Sequence, residues 1–294
     1  MTDAEIAETP VVILAGGRGA RFDHESQVKP KPLIEVAGKP MLGHIMDLFE
    51  AQGFKKFIIL GGYLCDQIND YVATRYECRA TPPGYDHITA FGNRGQKVLT
   101  HVFDTGVDAT TGDRLMALAL DFMLGQTVIL TYGDGLADVN MRELLEHHET
   151  MKKRTDRDLP FVTLTAVQPP GRFGVLRFND GYHLEDNDFV EGFEEKHSRE
   201  WVNGGFMVVD AGAVLMYAPD SMDDLDGPCK PFESGALPRM AKNHRLAAYR
   251  HHGYWRCMDT RRDLELIEED IRRANGLLPW RRDMMWPTEK EEQK

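Results

Sequence analysis

Cysteine is scarce in this chain: four among 294 residues, Cys65, Cys78, Cys229 and Cys257, with no Cys-x-x-Cys pair. That scatter excludes a disulfide framework and a zinc module, and fits reduced thiols. His251, His252 and Cys257 stand close together but find no fourth ligand at a recognisable metal spacing. Long apolar runs are also missing, so no membrane is expected as a partner. The first ten residues have neither a basic start nor an apolar h-region, which argues against a signal peptide, and the chain is expected to be cytoplasmic. Positive charge is in deficit. The formal net charge of -12 argues against nucleic acid and anionic lipid, both of which need a cationic footprint, so any polyanionic ligand must be drawn in by a local patch.

Two phosphate-loop signatures are absent as well. No Gly-x-x-x-x-Gly-Lys-Ser/Thr run occurs, which excludes a P-loop. The dinucleotide fingerprint fails at its third glycine, where Phe22 stands, and Pro30 and Pro32 would interrupt the helix that should follow. A NAD-dependent dehydrogenase is thereby disfavoured.

What remains is a distinctive stretch: Val11-Val12-Ile13-Leu14-Ala15-Gly16-Gly17-Arg18-Gly19-Ala20-Arg21-Phe22, then Val28-Lys29-Pro30-Lys31-Pro32. An apolar strand ending in Gly-Gly-x-Gly lets backbone N–H groups turn towards an anion without side chains in the way. The prolines keep the following arm extended, so Arg21, Lys29 and Lys31 can wrap a triphosphate from several sides.

The rest of the chain alternates. Apolar positions Met41, Leu42, Ile45, Met46 and Phe49 share one helical face, Gly53 ends that helix, and 57–60 is a buried strand followed by a helix over 66–75. Strand, helix, strand, helix implies a parallel sheet. Residues 78–97 read as a loop or lid, 98–104 as a strand, and 127–132 as the clearest central strand. That strand delivers Gly133-Asp134-Gly135 to its carboxyl end, where ligands bind in open α/β sheets. Asp138 is expected to cap a helix from Met141, and His147 and His148 to lie on its solvated face. Strands follow at 161–167 and 246–249, Ser234 is expected to cap a helix over 235–243, and Thr260 with Asp263 to start one over 261–274. Asp259 is open between turn chemistry and a ligand's role. Hydrophobic residues make up 42% of the chain, enough for one core with an appended end.

Leu-Ala-Gly-Gly-x-Gly-x-Arg with a downstream Lys-Pro-Lys-Pro resembles the sugar-1-phosphate nucleotidylyltransferases, most closely the glucose-1-phosphate cytidylyltransferases. Thr111-Gly112-Asp113-Arg114-Leu115, Pro169-Pro170-Gly171-Arg172-Phe173-Gly174, Glu195-Lys196 and Met258-Asp259-Thr260 extend the likeness over 11–280. The resemblance implies an α/β, Rossmann-like nucleotidyltransferase fold with a mixed, mostly parallel central sheet flanked by helices. It implies a single domain over 1–280, with a nucleotide-binding half at about 11–140, a sugar-phosphate-binding half at about 141–260, a helix over 261–275 and a charged tail over 281–294.

For the nucleotide the resemblance points to Leu14, Ala15, Gly16, Gly17, Gly19, Arg21, Lys29, Thr111, Gly112 and Arg114. For the sugar phosphate it points to Tyr132, Gly133, Gly174, Glu195, Lys196 and Asn203, with Glu233 a weaker candidate. Asp134 and Asp259 would hold Mg2+, and Arg21, Lys29, Asp134, Lys196 and Asp259 would carry catalysis. A nucleoside triphosphate and a sugar 1-phosphate are the expected partners, and a homo-oligomer the expected assembly. Ala20, Phe22, Asp113 and His197 depart from the family's usual threonine, leucine, glycine and proline, which keeps another base or acceptor open. A noncatalytic nucleotide-sugar-binding regulator is the alternative from a different class.

Overall fold

The computed structural model describes residues 1–19, 22, 28–76, 89–91, 97–121, 125–155, 159–169, 175–178, 190–194, 200–219 and 228–284. Helix α1 (Asp3–Glu8) precedes β1 (Pro10–Leu14), and a small hairpin of β2 (Glu35–Val36) and β3 (Lys39–Pro40) leads into α2 (Met41–Ala51). Then come β4 (Lys56–Gly61), α3 (Cys65–Arg75), β5 (Thr89–Phe91), β6 (Lys97–Asp104), α4 (Thr111–Asp121), β7 (Thr127–Tyr132), β8 (Gly135–Ala137) and α5 (Met141–Lys153). The second half supplies β9 (Val162–Val167), β10 (Val175–Phe178), β11 (Val190–Glu194), β12 (Val202–Asp210), α6 (Ala211–Tyr217), α7 (Ala236–Lys242), β13 (Leu246–Arg250), β14 (Trp255–Cys257) and α8 (Arg261–Arg273).

Among the described residues, eight strands form one sheet in the order β13-β9-β12-β7-β1-β4-β6-β5. Strand β1 runs parallel to both β4 and β7, β4 is parallel to β6 and β9 to β13, while β12 and β5 run antiparallel to their neighbours. Both halves of the chain therefore share one mixed, mostly parallel sheet. Alternation along β1 feeds two apolar layers, because successive side chains leave a strand on opposite faces. Val11 and Ile13 pack with residues of α2, α3, α5 and α8, and Val12 and Leu14 with residues of α4, α6 and α7. Phe22 is buried in the first layer, so this departure from leucine anchors the end of the glycine loop in the core. No helix among the described residues is long and apolar enough to cross a membrane.

Several local expectations are corrected. Asn140, not Asp138, caps α5, its side chain accepting from the N–H groups of Arg142 and Glu143 at 3.1 and 3.2 Å. Asp138 lies two residues too early for that and instead pairs with His251 at 2.9 Å. Helix α7 starts after Gly235 with no side-chain cap, and the Ser234 hydroxyl turns back to the Pro231 carbonyl at 3.3 Å. His148 is buried, since it falls one turn after Leu144 on the inner face of α5, and its Nδ1 meets the Thr163 hydroxyl at 3.0 Å. The 78–97 stretch contains an edge strand, β5, rather than loop alone. The capping boxes at Thr2–Glu5 and Thr260–Asp263 start α1 and α8, and of these only the second was read in the sequence.

Candidate active site

At the carboxyl edge of β1, β4 and β7 the wall is mostly backbone. The Ala15 N–H donates to the Leu60 carbonyl at 2.9 Å, and the Tyr63 N–H to the Gly16 carbonyl at 3.2 Å. Arg114, in the first turn of α4, is buried rather than on the surface. Its guanidinium donates to the Gly61 carbonyl at 2.5 Å, to the Gly16 carbonyl at 3.1 Å and to the Thr105 hydroxyl. Burial lowers its pKa against the opposing pull of Asp104 and Asp113, yet from so high a starting value the group stays charged. A methyl group at Gly16 would lie 2.2 Å from Arg114 Nη1, so close packing around this arginine requires glycine there.

A cavity of about 250 Å³ sits over the loop. Leu14, Ala15, Gly16, Gly17 and Gly19 form one wall, and Thr111 and Arg114 another. Tyr132, Gly133 and Asp134 close it from the end of β7, with Lys31 and Pro32 opposite. Clefts of about 440 and about 920 Å³ lie elsewhere, but neither is lined by the glycine loop or by Asp134 or Asp259.

The start of α4 is held by the chain before α7. The Thr111 hydroxyl donates to Glu233 Oε2 at 2.8 Å, and Glu233 also accepts from the Tyr132 hydroxyl. Burial and the Glu233 carboxylate push the Tyr132 phenol far above its ordinary pKa, so it remains a donor. Asn203 adjoins that hydroxyl, and its own Oδ1 accepts from the Gly205 N–H at 2.9 Å. Gly112 faces away from the cavity, where a Cβ would lie 2.1 Å from the Lys230 carbonyl. Asp113 also points away. Its carboxylate accepts from the N–H groups of Thr110 at 2.8 Å and Cys229 at 2.7 Å. Burial tends to raise its pKa, but these bonds hold it below the usual carboxylate range. The departure from glycine is a structural tie at the foot of α4.

Asp134 and Asp259 are 125 residues apart in number and meet because of a short strand pair. Strands β8 and β14 run antiparallel with Cys257 opposite Gly135, and the Met258 N–H donates to the Asp134 carbonyl at 2.8 Å. Both carboxylates then converge on one positive charge, the Lys31 ammonium, which lies 2.6 Å from Asp134 and 2.8 Å from Asp259. That ammonium stands where a shared cation would stand, so the donor set fits a metal ion. Asp134, Cys257 and Asp259 each offer a ligand atom within 4.8 Å of the others. Burial, then the two carboxylates, push the Cys257 thiol well above its ordinary pKa.

Lys31 reaches this place because it opens a 3-10 turn over Lys31–Leu33 whose Pro32 and Leu33 are buried. Pro32 abuts Gly133, where an added Cβ would meet Pro32 Cγ at 2.8 Å. Lys29 instead pairs with Glu35 at 3.1 Å, outside the cavity lining. Sequence reasoning placed Lys31 on the cationic arm without assigning it a catalytic role. The signal for its position was its flanking prolines beside buried residues. It missed Cys257 as a neighbour of the aspartates, because β8 and β14 are too short to announce a pairing. Arg21, Gly174, Glu195 and Lys196 lie outside the described residues.

The sequence model of the family described as nucleotidyl transferase matches residues 10–272. The chain is 33% identical to a glucose-1-phosphate cytidylyltransferase of Salmonella typhimurium over 275 residues, covering 92% of this chain and 98% of that one. It is 24% identical to an N-acetylmuramate alpha-1-phosphate uridylyltransferase of Neisseria meningitidis over 251 residues, 83% of this chain and 90% of the relative. Among solved structures, HddC of Yersinia pseudotuberculosis complexed with GMP-PN matches with a TM-score of 0.59 at 20% identity, over 90% of this chain and 99% of that one.

Proposed function

The chain belongs to the nucleotidyl transferase family, and on that premise we propose that it transfers a cytidylyl group from CTP to glucose 1-phosphate, giving CDP-glucose and pyrophosphate. The observation that carries the reading is the convergence of Asp134 and Asp259 on Lys31, beside a glycine loop at the carboxyl edge of the sheet. Support for the base and the sugar comes from the Salmonella relative, which aligns with nearly the whole chain.

The acceptor phosphate is its own nucleophile, because with a second pKa of about 6 it is mostly dianionic at neutral pH. No general base is required. The task is to bring two anions together, align the attack on the α-phosphorus and stabilise the departing pyrophosphate. In this reading the N–H groups of the glycine loop donate to triphosphate oxygens while Arg114 holds the loop in shape. By the family resemblance, Arg21 adds charge at the leaving group, Lys196 binds the acceptor phosphate, and Glu195 and Asn203 meet the sugar. A divalent cation, Mg2+ in our reading, would be held by Asp134 and Asp259 and would supply Lewis-acid charge at the phosphate oxygens. Lys31 must then release both carboxylates, which frees its ammonium for the triphosphate.

The test is a matrix of the four nucleoside triphosphates against several sugar 1-phosphates with Mg2+, scored by pyrophosphate release. CTP with glucose 1-phosphate should give the highest kcat/KM. A different best pair moves the chain to another base or acceptor, and no release from any pair leaves the regulator. Asp134→Asn should lower turnover by at least about a hundredfold with the fold intact. Near-normal turnover in that variant removes Asp134 from the mechanism.

A further inference from the structure

The cation site has a third donor that is unlike the other two. Alternation past β14 puts Cys257 and Asp259 on one side of the backbone and Met258 on the other, and Met258 is fully buried in the core. The register opposite Gly135 brings Cys257 beside Asp134, and the ligand atoms of all three lie within 4.8 Å of one another. Cys257 is a free thiol, only partly buried. Two hard carboxylates with one soft sulfur form a donor set that oxygen-seeking ions use incompletely and thiophilic ions use in full.

We propose that Asp134, Cys257 and Asp259 form a mixed oxygen–sulfur site that binds a thiophilic divalent cation, Zn2+ or Cd2+, in the nucleotide-free enzyme, in competition with the ion used in turnover. The inference rests on Asp134 and Asp259 being the cation ligands of the proposed reaction. As the sulfur–metal bond forms, the thiol proton passes to solvent and the Lys31 ammonium leaves the carboxylates, so uptake releases a proton. The result is an inhibitory metal site inside the catalytic one. It deepens the reading of Asp134 and Asp259 by naming which cations the pair will confuse.

The experiment uses the full, reduced, nucleotide-free chain and the metals alone. Cd2+ titration should produce a near-ultraviolet thiolate-to-metal charge-transfer band that saturates at a single equivalent. Cys257→Ser should abolish the band and weaken Cd2+ binding at least about tenfold, while Mn2+ binding, followed by loss of the free-ion resonance signal, changes less than about threefold. Asp134→Asn and Asp259→Asn should weaken both ions. A second measurement needs no variant: alkylation of Cys257, mapped by peptide mass spectrometry, should slow at least about tenfold with saturating Zn2+. If Mn2+ binding depends on both aspartates but Cd2+ gives no band and Zn2+ no protection, this inference is wrong and the proposed reaction stands. A band that persists in Cys257→Ser belongs to another thiol and also overturns it. If neither aspartate variant weakens Mn2+, the cation assignment itself falls and takes this site with it.

Discussion

Replacing Lys31 by methionine should tighten metal binding to the free enzyme while disabling catalysis. Methionine keeps an apolar stem of similar length and removes the ammonium, with its charge and its hydrogen bonds to both carboxylates. In the structure the ammonium bonds Asp134 at 2.6 Å and Asp259 at 2.8 Å, with the Lys31 side chain 12% exposed and the carboxylates 26% and 38%. Exposed pairs contribute about 0–1 kcal/mol each, and breaking a fully buried pair costs about 3–5 kcal/mol. The site lies between these limits, so an incoming cation must displace about 1–3 kcal/mol of attraction. Removing that competitor should raise Mn2+ affinity about 5- to 150-fold. Turnover should fall at least about a hundredfold, as for the loss of a major charge at the reacting phosphates.

Burial lowers the pKa of Lys31, but Asp134 and Asp259 outweigh it and hold the pKa above its ordinary value. The ion pair is therefore fully present below the unfolded lysine pKa of about 10.4 and is lost only as pH rises through the higher folded value. The gain in affinity should be flat from about pH 6 to pH 9, well below that transition. The assay is Mn2+ titration by free-ion resonance at several pH values, paired with kcat. Unchanged or weaker Mn2+ binding in Lys31→Met would refute the argument that the lysine occupies the cation's place.

Gly16→Ala puts a methyl group 2.2 Å from Arg114 Nη1 and must displace that buried guanidinium, so the KM for the triphosphate should rise about tenfold or more and the melting temperature should fall; an unchanged KM separates the loop's shape from nucleotide binding. Asp113→Asn should cost about 1 kcal/mol by weakening the ties at the foot of α4, yet leave the CTP-to-UTP preference unchanged; a shifted preference in the substrate matrix would put Asp113 back in base recognition. Asp210, buried, accepts from the Thr127 hydroxyl at 2.7 Å and the Phe161 N–H at 3.0 Å and pairs with Lys152 at 2.7 Å, so Asp210→Asn should cost about 3 kcal/mol by denaturant unfolding. Burial raises the Asp210 pKa, but hydrogen bonds from His148, Lys152 and Thr127 drive it far below the usual range. Its stabilisation is therefore present above the unfolded carboxylate value of about 3.9 and is lost as pH falls below it, so the gap between wild type and variant should close in acid and stay open at pH 7.

What could be read from the sequence was whatever declares itself within about one element. Val11–Leu14 and the glycines after it announce a strand and a turn through composition alone, and Thr260 with Asp263 announces a helix start through local chemistry. His148 was misread because charge around it suggested solvent, while its spacing from Leu144 already placed it on the inner face of α5. Asp138 was misread for a related reason: cap chemistry is generic to Asp and Asn, and position decides between them, so Asn140 next to Met141 wins.

The site's central geometry was of another kind. Motif resemblance brought out Asp134 and Asp259 separately, but what joins them is a three-residue strand pair and a hydrogen bond donated by the Met258 N–H to the Asp134 carbonyl. Neither leaves a periodic trace, since three residues are too few to show alternation against chance. The same shortness hid Cys257, whose relation to Asp134 exists only once the register with Gly135 is set. Lys29 and Lys31 differ in the same way: both are cations before a proline, and the phase of one buried 3-10 turn sends Lys31 to the aspartates and leaves Lys29 with Glu35. Residue types are thus legible as chemistry, but which of two equivalent charges does the work is settled by a neighbour's packing, here Pro32 against Gly133. It follows that Pro32→Ala, which leaves the lysine and both aspartates in place, should loosen Lys31 from the aspartates and raise Mn2+ affinity in the same direction as Lys31→Met, by a smaller factor.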